Sequence, residues 1–223
     1  MFHVTADWAR AYENKGALWF HDGIAKRPHA LLTSGKHSNG FFNSELVMED
    51  PILLDKAARA LLNLLEQNGL RLFEVARVVG PAMGAITLAH DLARHISRER
   101  LSGLCLRAYT EKAAEGETKL MVFKKTTIRP LEKVLLVEDV LTTGGSVNLS
   151  ATAVTDAGGI VLPFVAVLVN RSGLDEVDGK KIVALIDRPM PMWAPEECPL
   201  CTQGSEAIRP KGTENWARLN ASY

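Results

Sequence analysis

Glutamate and aspartate stand side by side at positions 138 and 139, and two residues later Thr142-Thr143-Gly144-Gly145-Ser146 makes a turn of small and hydroxylated residues. The apolar run Val134 to Val137 ahead of the acids reads as a strand buried on both faces, and the turn opens what reads as a helix. Small residues let backbone N–H groups and hydroxyls close on a phosphate, while a helix N-terminus adds partial positive charge. Acids beside such a cradle need a reason of their own. At a strand end they accept hydrogen bonds from neighbouring sugar hydroxyls, so the combination points to a ribose 5-phosphate group. An ordinary strand, turn and helix cap, with Ser146 or Thr143 as the cap, explains the turn but not the acid pair.

Other residue types with chemical potential are less decisive. Gly80-Pro81-Ala82-Met83-Gly84 reads by itself as a tight strand-to-helix turn. Arg171, after the apolar run Val167-Leu168-Val169, has the guanidinium geometry to pair with a carboxylate or with paired carbonyls. Cys198-Pro199-Leu200-Cys201 has the spacing of half a zinc site, but Cys105 falls in a predicted strand and no distal pair follows. No metal centre is assigned to it on that basis; a tail histidine or a partner chain would have to supply the rest. His90 and His95, on a predicted helix, have no matching ligand spacing and are read as surface residues.

These groups must be carried by an alternation of strands and helices. Helices are predicted over 5–20, capped by Thr5 or Asp7, over Asp50 to Asn68 with Pro51 in the first turn, over about Gly84 to Ser97, and from the phosphate turn to about Ala157. Strands are predicted at Val75–Val79, Leu101–Tyr109, the run before the acids, Ile160–Val169 and Lys181–Ile186. Residues 110–130 read as a long lysine-rich loop, with a short strand possible at Leu120–Phe123; loops of that length in a compact domain tend to be functional. The pattern predicts an α/β fold with a central, mostly parallel sheet flanked by helices and the ligand at the carboxyl ends of the strands. One domain over 1–223 is expected, with a core at 46–187. Residues 1–45, extended and turn-rich from about residue 30, and an irregular, proline-rich tail from Arg188 (188–223) are assigned to a cap over the sheet edge.

Composition sets the bounds. With 223 residues and 47% apolar content the chain can bury a full core, and with 26 basic against 26 acidic residues its net charge recruits neither nucleic acid nor an anionic membrane. No apolar run approaches the roughly 20 residues of a membrane span, and three cysteines are too few for a disulfide framework, so a cytoplasmic protein is expected.

The segment from Val134 to Ser146 resembles the phosphoribosyl diphosphate (PRPP) signature of the type I phosphoribosyltransferases, and four further segments resemble the orotate phosphoribosyltransferases within that superfamily. Leu32-Thr33-Ser34-Gly35-Lys36-His37-Ser38 with Phe41-Phe42-Asn43 is similar to the family's Ser-Gly-basic loop and orotate-side aromatic strand. Gly80 to Gly84 resembles the diphosphate-binding loop, Arg107-Ala108-Tyr109-Thr110-Glu111-Lys112 the start of the mobile catalytic loop, and Asn170-Arg171 the place of a base-contacting arginine. The resemblance implies the phosphoribosyltransferase fold with a hood, PRPP and orotate as substrates, magnesium held mainly by PRPP, and a homodimer in which each mobile loop serves the other subunit's site.

It also implies residue roles. Thr142, Thr143, Gly144, Gly145 and Ser146 hold the 5-phosphate, Glu138 and Asp139 face the ribose, and Lys36, Arg107 and Lys112 serve PRPP, with Lys112 reaching the leaving diphosphate and Asp139 counted with it as catalytic. Phe41, Phe42, Thr143 and Arg171 attend the base. The chain departs from the family pattern at three places. Thr33 stands where a lysine is frequent, with Lys36 or His37 able to compensate; Asn170 stands where aspartate is frequent. The loop reads Glu111-Lys112-Ala113-Ala114-Glu115-Gly116 without the usual histidine and one residue longer, leaving Lys119, Lys124 and Lys125 as alternatives to Lys112. Transfer to a different nucleobase, or a PRPP-sensing regulator without chemistry, therefore stay open as alternatives.

Overall fold

A computed structural model describes residues 4–100, 103–113, 120–210 and 212–223. The run Ala114-Glu115-Gly116 and Lys119 lie outside the described residues. The chain begins with α1 (Val4–Asn14), β1 (Leu18–Phe20), β2 (His29–Leu31), β3 (His37–Ser38), β4 (Gly40–Phe42), α2 (Glu45–Met48) and α3 (Pro51–Gln67). It continues through β5 (Arg77–Pro81), α4 (Ile86–Glu99), β6 (Leu106–Lys112), β7 (Met121–Val122), β8 (Lys133–Leu141), α5 (Gly145–Asp156), β9 (Ile160–Asn170), β10 (Glu176–Val177) and β11 (Lys180–Asp187). The tail adds β12 (Met192–Trp193), α6 (Pro199–Thr202), β13 (Ala207–Ile208) and α7 (Thr213–Asn220).

Local signals place the central helices. At α3 the Asp50 carboxylate accepts from the N–H groups of Ile52 (3.2 Å) and Leu53 (3.0 Å), Pro51 occupies the first turn, and Leu54, Ala57, Leu61 and Leu65 are buried along one face. The first helix is shorter than its apolar spacing predicts. It stops at Asn14, where Ala17 N–H reaches back to the Tyr12 carbonyl (2.8 Å) and Gly16 N–H to that of Glu13 (2.9 Å). Leu18 and Trp19 then leave the helical register for β1, pairing antiparallel with Phe42 and Phe41 of β4. That pairing partner is remote in sequence, so local periodicity could not anticipate it.

Among the described residues the main sheet has seven strands in the order β10-β11-β9-β8-β5-β6-β7. Its five inner strands are parallel, and β10 and β7 run antiparallel at the edges. Strand order reverses between β5 and β8, which makes the crevice beyond their carboxyl ends the natural ligand position of such a sheet. Strand β8 is buried on both faces: Leu135 and Val137 join the core formed with α3 and α4, while Val134 and Leu136 join the one formed with α5. At the opposite end of β5 the buried Arg77 guanidinium grips Glu132 in a bidentate pair, Nε donating at 3.0 Å and Nη2 at 3.1 Å.

Three expectations are corrected. Residues Thr110 to Lys112 belong to β6 rather than to a loop, and Glu111 and Lys112 pair with Val122 and Met121 of β7. His95 is a buried residue on the inner face of α4, with Nε2 3.0 Å from Asp55 Oδ1 of α3, because its helix position faces the core. The tail is ordered rather than irregular. In a four-stranded sheet of order β12-β3-β2-β13, β12 adds antiparallel to β3 and β13 parallel to β2, so segments from the two ends of the chain share one layer. Among the described residues no helix is long and apolar enough to cross a membrane.

Candidate active site

A cleft of about 1010 Å³ opens over the carboxyl ends of β5 and β8. One wall is the turn after β8: Thr142 and Thr143 are exposed in the cleft, and Gly144 adopts φ +76° as the residue before α5. A side chain at Gly144 would also strike Val177, at 2.8 Å from its methyl carbons, so glycine is required there for both reasons. The first N–H groups of α5, beginning at Gly145 and the exposed Ser146, have no carbonyl partners within their own helix and provide an anion site.

Asp139 lines the cleft beside this turn. The loop after β5 passes so close that a methyl on Gly84 would lie 2.7 Å from Asp139 Cγ and 2.8 Å from Oδ1; only glycine lets the loop and the carboxylate meet. That loop is anchored by Ala82 N–H donating to the Thr110 carbonyl at 2.8 Å, and it presents Met83 and Gly84 to the cleft, while Gly80 and Pro81 are buried in β5. Glu138 is buried instead, and its Oε1 accepts from Asp139 N–H at 3.3 Å. Burial, followed by the neighbouring Asp139 charge, holds the Glu138 carboxyl well above the usual glutamate range.

Across the cleft stands Arg171, only 4% exposed. Its Nη2 donates to Ser38 Oγ at 2.7 Å and, more distantly, to the Met190 carbonyl at 3.5 Å; among the described residues Nε has no hydrogen-bond partner. Burial lowers its pKa to about 10, so it stays cationic at neutral pH. A buried cation with an unused donor, in a cleft, is built to receive an anion or carbonyl oxygens. Asn170 shapes the adjoining turn: its amide donates to the Leu174 carbonyl (2.9 Å) and Asp187 Oδ1 (3.1 Å), and its oxygen accepts from Ser172 Oγ (2.6 Å).

Phe41 and Phe42 both line the cleft, the first edge-on to Trp216 at 5.7 Å and the second stacked on Tyr12 at 5.3 Å. Thr33, Ser34 and Lys36 come from the hairpin tip between β2 and β3. Arg107 and Lys112 do not line the cleft of their own chain. Both are exposed on β6, and Arg107 sits instead in a small depression with His90 and Asp91. Sequence reasoning missed Met192, Thr213 and Trp216, which the tail brings to the cleft. Trp216 carried the one usable signal, a large aromatic in a polar tail; its Nε1 donates to the Gly16 carbonyl at 3.1 Å.

Residues 47–195 match the family described as "Phosphoribosyl transferase domain". The chain is 37% identical over 182 residues to an orotate phosphoribosyltransferase of Desulforamulus reducens, covering 82% of this chain and 87% of that one. It is 38% identical over 183 residues to an orotate phosphoribosyltransferase of Heliobacterium modesticaldum, covering 82% and 88%. The crystal structure of orotate phosphoribosyltransferase from Aeropyrum pernix superposes with a TM-score of 0.61 at 25% identity, over 80% of this chain and 92% of that one.

Proposed function

The chain belongs to the phosphoribosyltransferase family and, within it, to the orotate phosphoribosyltransferases; from that premise we propose that its cleft transfers the ribose 5-phosphate of PRPP to orotate, giving orotidine 5-monophosphate and diphosphate. One observation carries the reading: the Asp139 carboxylate with its phosphate turn faces the buried, under-used Arg171 guanidinium across a single cleft. The turn Thr142 to Ser146 takes the 5-phosphate through hydroxyls and helix N–H groups. Asp139 accepts from ribose hydroxyls, with Glu138 behind it in the strand end. Arg171, fixed by Ser38, pairs with the orotate carboxylate or carbonyls, and Phe41 packs beside the ring.

In the reaction a ring nitrogen of orotate forms a bond to the sugar C1 as the bond from C1 to the diphosphate oxygen breaks, through a transition state with positive charge on the sugar. Asp139 stabilises that charge electrostatically, and the loop after β5 offers the backbone N–H groups of Met83 and Gly84, its residues in the cleft, to the departing diphosphate. A hard divalent cation fits the site's oxygen donors: the Asp139 carboxylate would hold it together with the substrate's own oxygens. When bound there, magnesium would supply charge neutralisation on the diphosphate.

Arg107 and Lys112 stand exposed on β6, outside their own cleft, which supports a homodimer in which they serve the partner's cleft and Lys112 meets the leaving group. The cysteine content favours a reducing compartment, hence the cytoplasm. The test is diphosphate release from PRPP and magnesium with orotate, uracil, adenine, guanine, hypoxanthine or xanthine. Release with orotate alone is expected; release with another base overturns the acceptor assignment, and PRPP binding without release overturns the catalytic one.

A further inference from the structure

The half-site at Cys198 and Cys201 is completed in three dimensions. His29 and His37 approach it from the other end of the chain, and the four ligand atoms lie within 4.8 Å of one another. His29 Nε2 is 3.0 Å from His37 Nδ1, 3.5 Å from Cys198 Sγ and 3.6 Å from Cys201 Sγ, and His37 Nδ1 is 3.3 Å from Cys201 Sγ. Zinc at about 2.0 Å from nitrogen and about 2.3 Å from sulfur, with tetrahedral angles, separates two nitrogens by about 3.3 Å and nitrogen from sulfur by about 3.5 Å. The four spacings given above lie within about 0.3 Å of those figures.

Hydrogen bonding fixes which nitrogen of His29 faces the cluster. Ser205 Oγ has one proton and gives it to the Arg27 carbonyl at 2.6 Å, so it must accept from His29 Nδ1–H, 2.8 Å away. In the neutral ring, Nε2 then carries a single lone pair facing His37 Nδ1, Cys198 Sγ and Cys201 Sγ, and one lone pair cannot accept from all three. The serine is also the kind of outer partner that orients a metal-bound imidazole. His29, His37 and Cys198 are buried, and none of the four residues lines the cleft or serves the proposed transfer.

We propose that His29, His37, Cys198 and Cys201 form a closed, structural zinc site. Its ligands join the legs of the β2–β3 hairpin to the N-terminal end of α6, with His29 and Cys198 lying 169 positions apart in the sequence. The hairpin tip carries Thr33, Ser34 and Lys36 into the cleft, and the residue after His37 is Ser38, the partner of Arg171. The metal therefore staples the two ends of the chain together and holds the cleft's outer wall in place.

The test uses the full chain purified under reducing conditions without added metal. Elemental analysis should find about one zinc per chain, falling to about a tenth or less in Cys198→Ser/Cys201→Ser and unchanged in Cys105→Ser. Because the double variant can fail to fold, cobalt exchange into the unmodified protein gives an independent reading: thiolate-to-cobalt charge-transfer bands and the intense visible bands of tetrahedral cobalt are expected. Metal-free unmodified protein with no tetrahedral cobalt spectrum overturns the proposal. So does a Cys198–Cys201 disulfide found in place of zinc under the same conditions.

Discussion

Gly84→Ala isolates the ribose assignment without touching a polar group. The new methyl would sit 2.7 Å from Asp139 Cγ, whereas carbon atoms rest at roughly 3.5 Å or more, so the carboxylate must retreat by about 0.8 Å or change rotamer. Such a shift would break the hydrogen bonds proposed between Asp139 and two ribose hydroxyls. Charged hydrogen bonds contribute roughly 1.5 kcal/mol or more each, so about 3 kcal/mol is lost and the Kd for PRPP rises roughly 100-fold. Fold stability should move by less than about 1 kcal/mol, because the strain falls on a side chain in an open cleft and alanine restricts the unfolded chain slightly. Calorimetric titration of PRPP and magnesium into Gly84→Ala, Asp139→Ala and the double variant reads the mechanism. If the methyl acts through Asp139, the double variant binds no worse than Asp139→Ala. Unchanged affinity in Gly84→Ala, or full additivity of the two substitutions, would refute the reasoning.

Arg171→Gln keeps a donor for Ser38 but removes the charge; kcat/KM for orotate should fall about 100-fold or more while PRPP affinity changes little, as steady-state kinetics and titration will reveal. Glu132→Ala leaves the buried Arg77 unpaired and should lower unfolding free energy in urea by about 3–5 kcal/mol, with Arg77→Leu/Glu132→Leu recovering part of the loss. Burial works to raise the Glu132 carboxyl, but hydrogen bonds from Arg77 and Arg129 N–H outweigh it and hold the group below the usual glutamate range. Its stabilisation is thus complete above the unfolded-state pKa and is lost as pH falls through the lower folded value. Acid unfolding curves of the unmodified protein should show this loss and those of Glu132→Ala should not. Mixing inactive Lys112→Ala and Asp139→Ala chains should restore activity if each cleft borrows the partner's lysine; absence of recovery places Lys112 elsewhere.

The strand, turn and helix start around the acid pair were readable from the sequence because their parts are contiguous: all fall within Val134 to Ser146. The same holds for α3, whose Asp50-Pro51 start and leucine stripe are local signals. These pieces, with the alternation of strands and helices, determined the α/β core and its resemblance to the family. What lay beyond reach depends on partners remote in the chain. Leu18 and Trp19 became a strand because β4 pairs with them, and β12 and β13, two residues each, are too short to show a period and exist through pairing with β3 and β2. His95 read as a surface residue until α3 packed over it. Arg171 could be named, but its burial beside Ser38 and its unused Nε appear only when the β3 segment folds against the end of β9. The four-ligand cluster is the clearest case: Cys198 and Cys201 spelled out half a site, and folding brought His29 and His37 to it across most of the chain. Sequence order can determine chemistry built from neighbours on one strand and turn, but convergence of distant side chains is set by strand pairing and packing, which no local pattern contains.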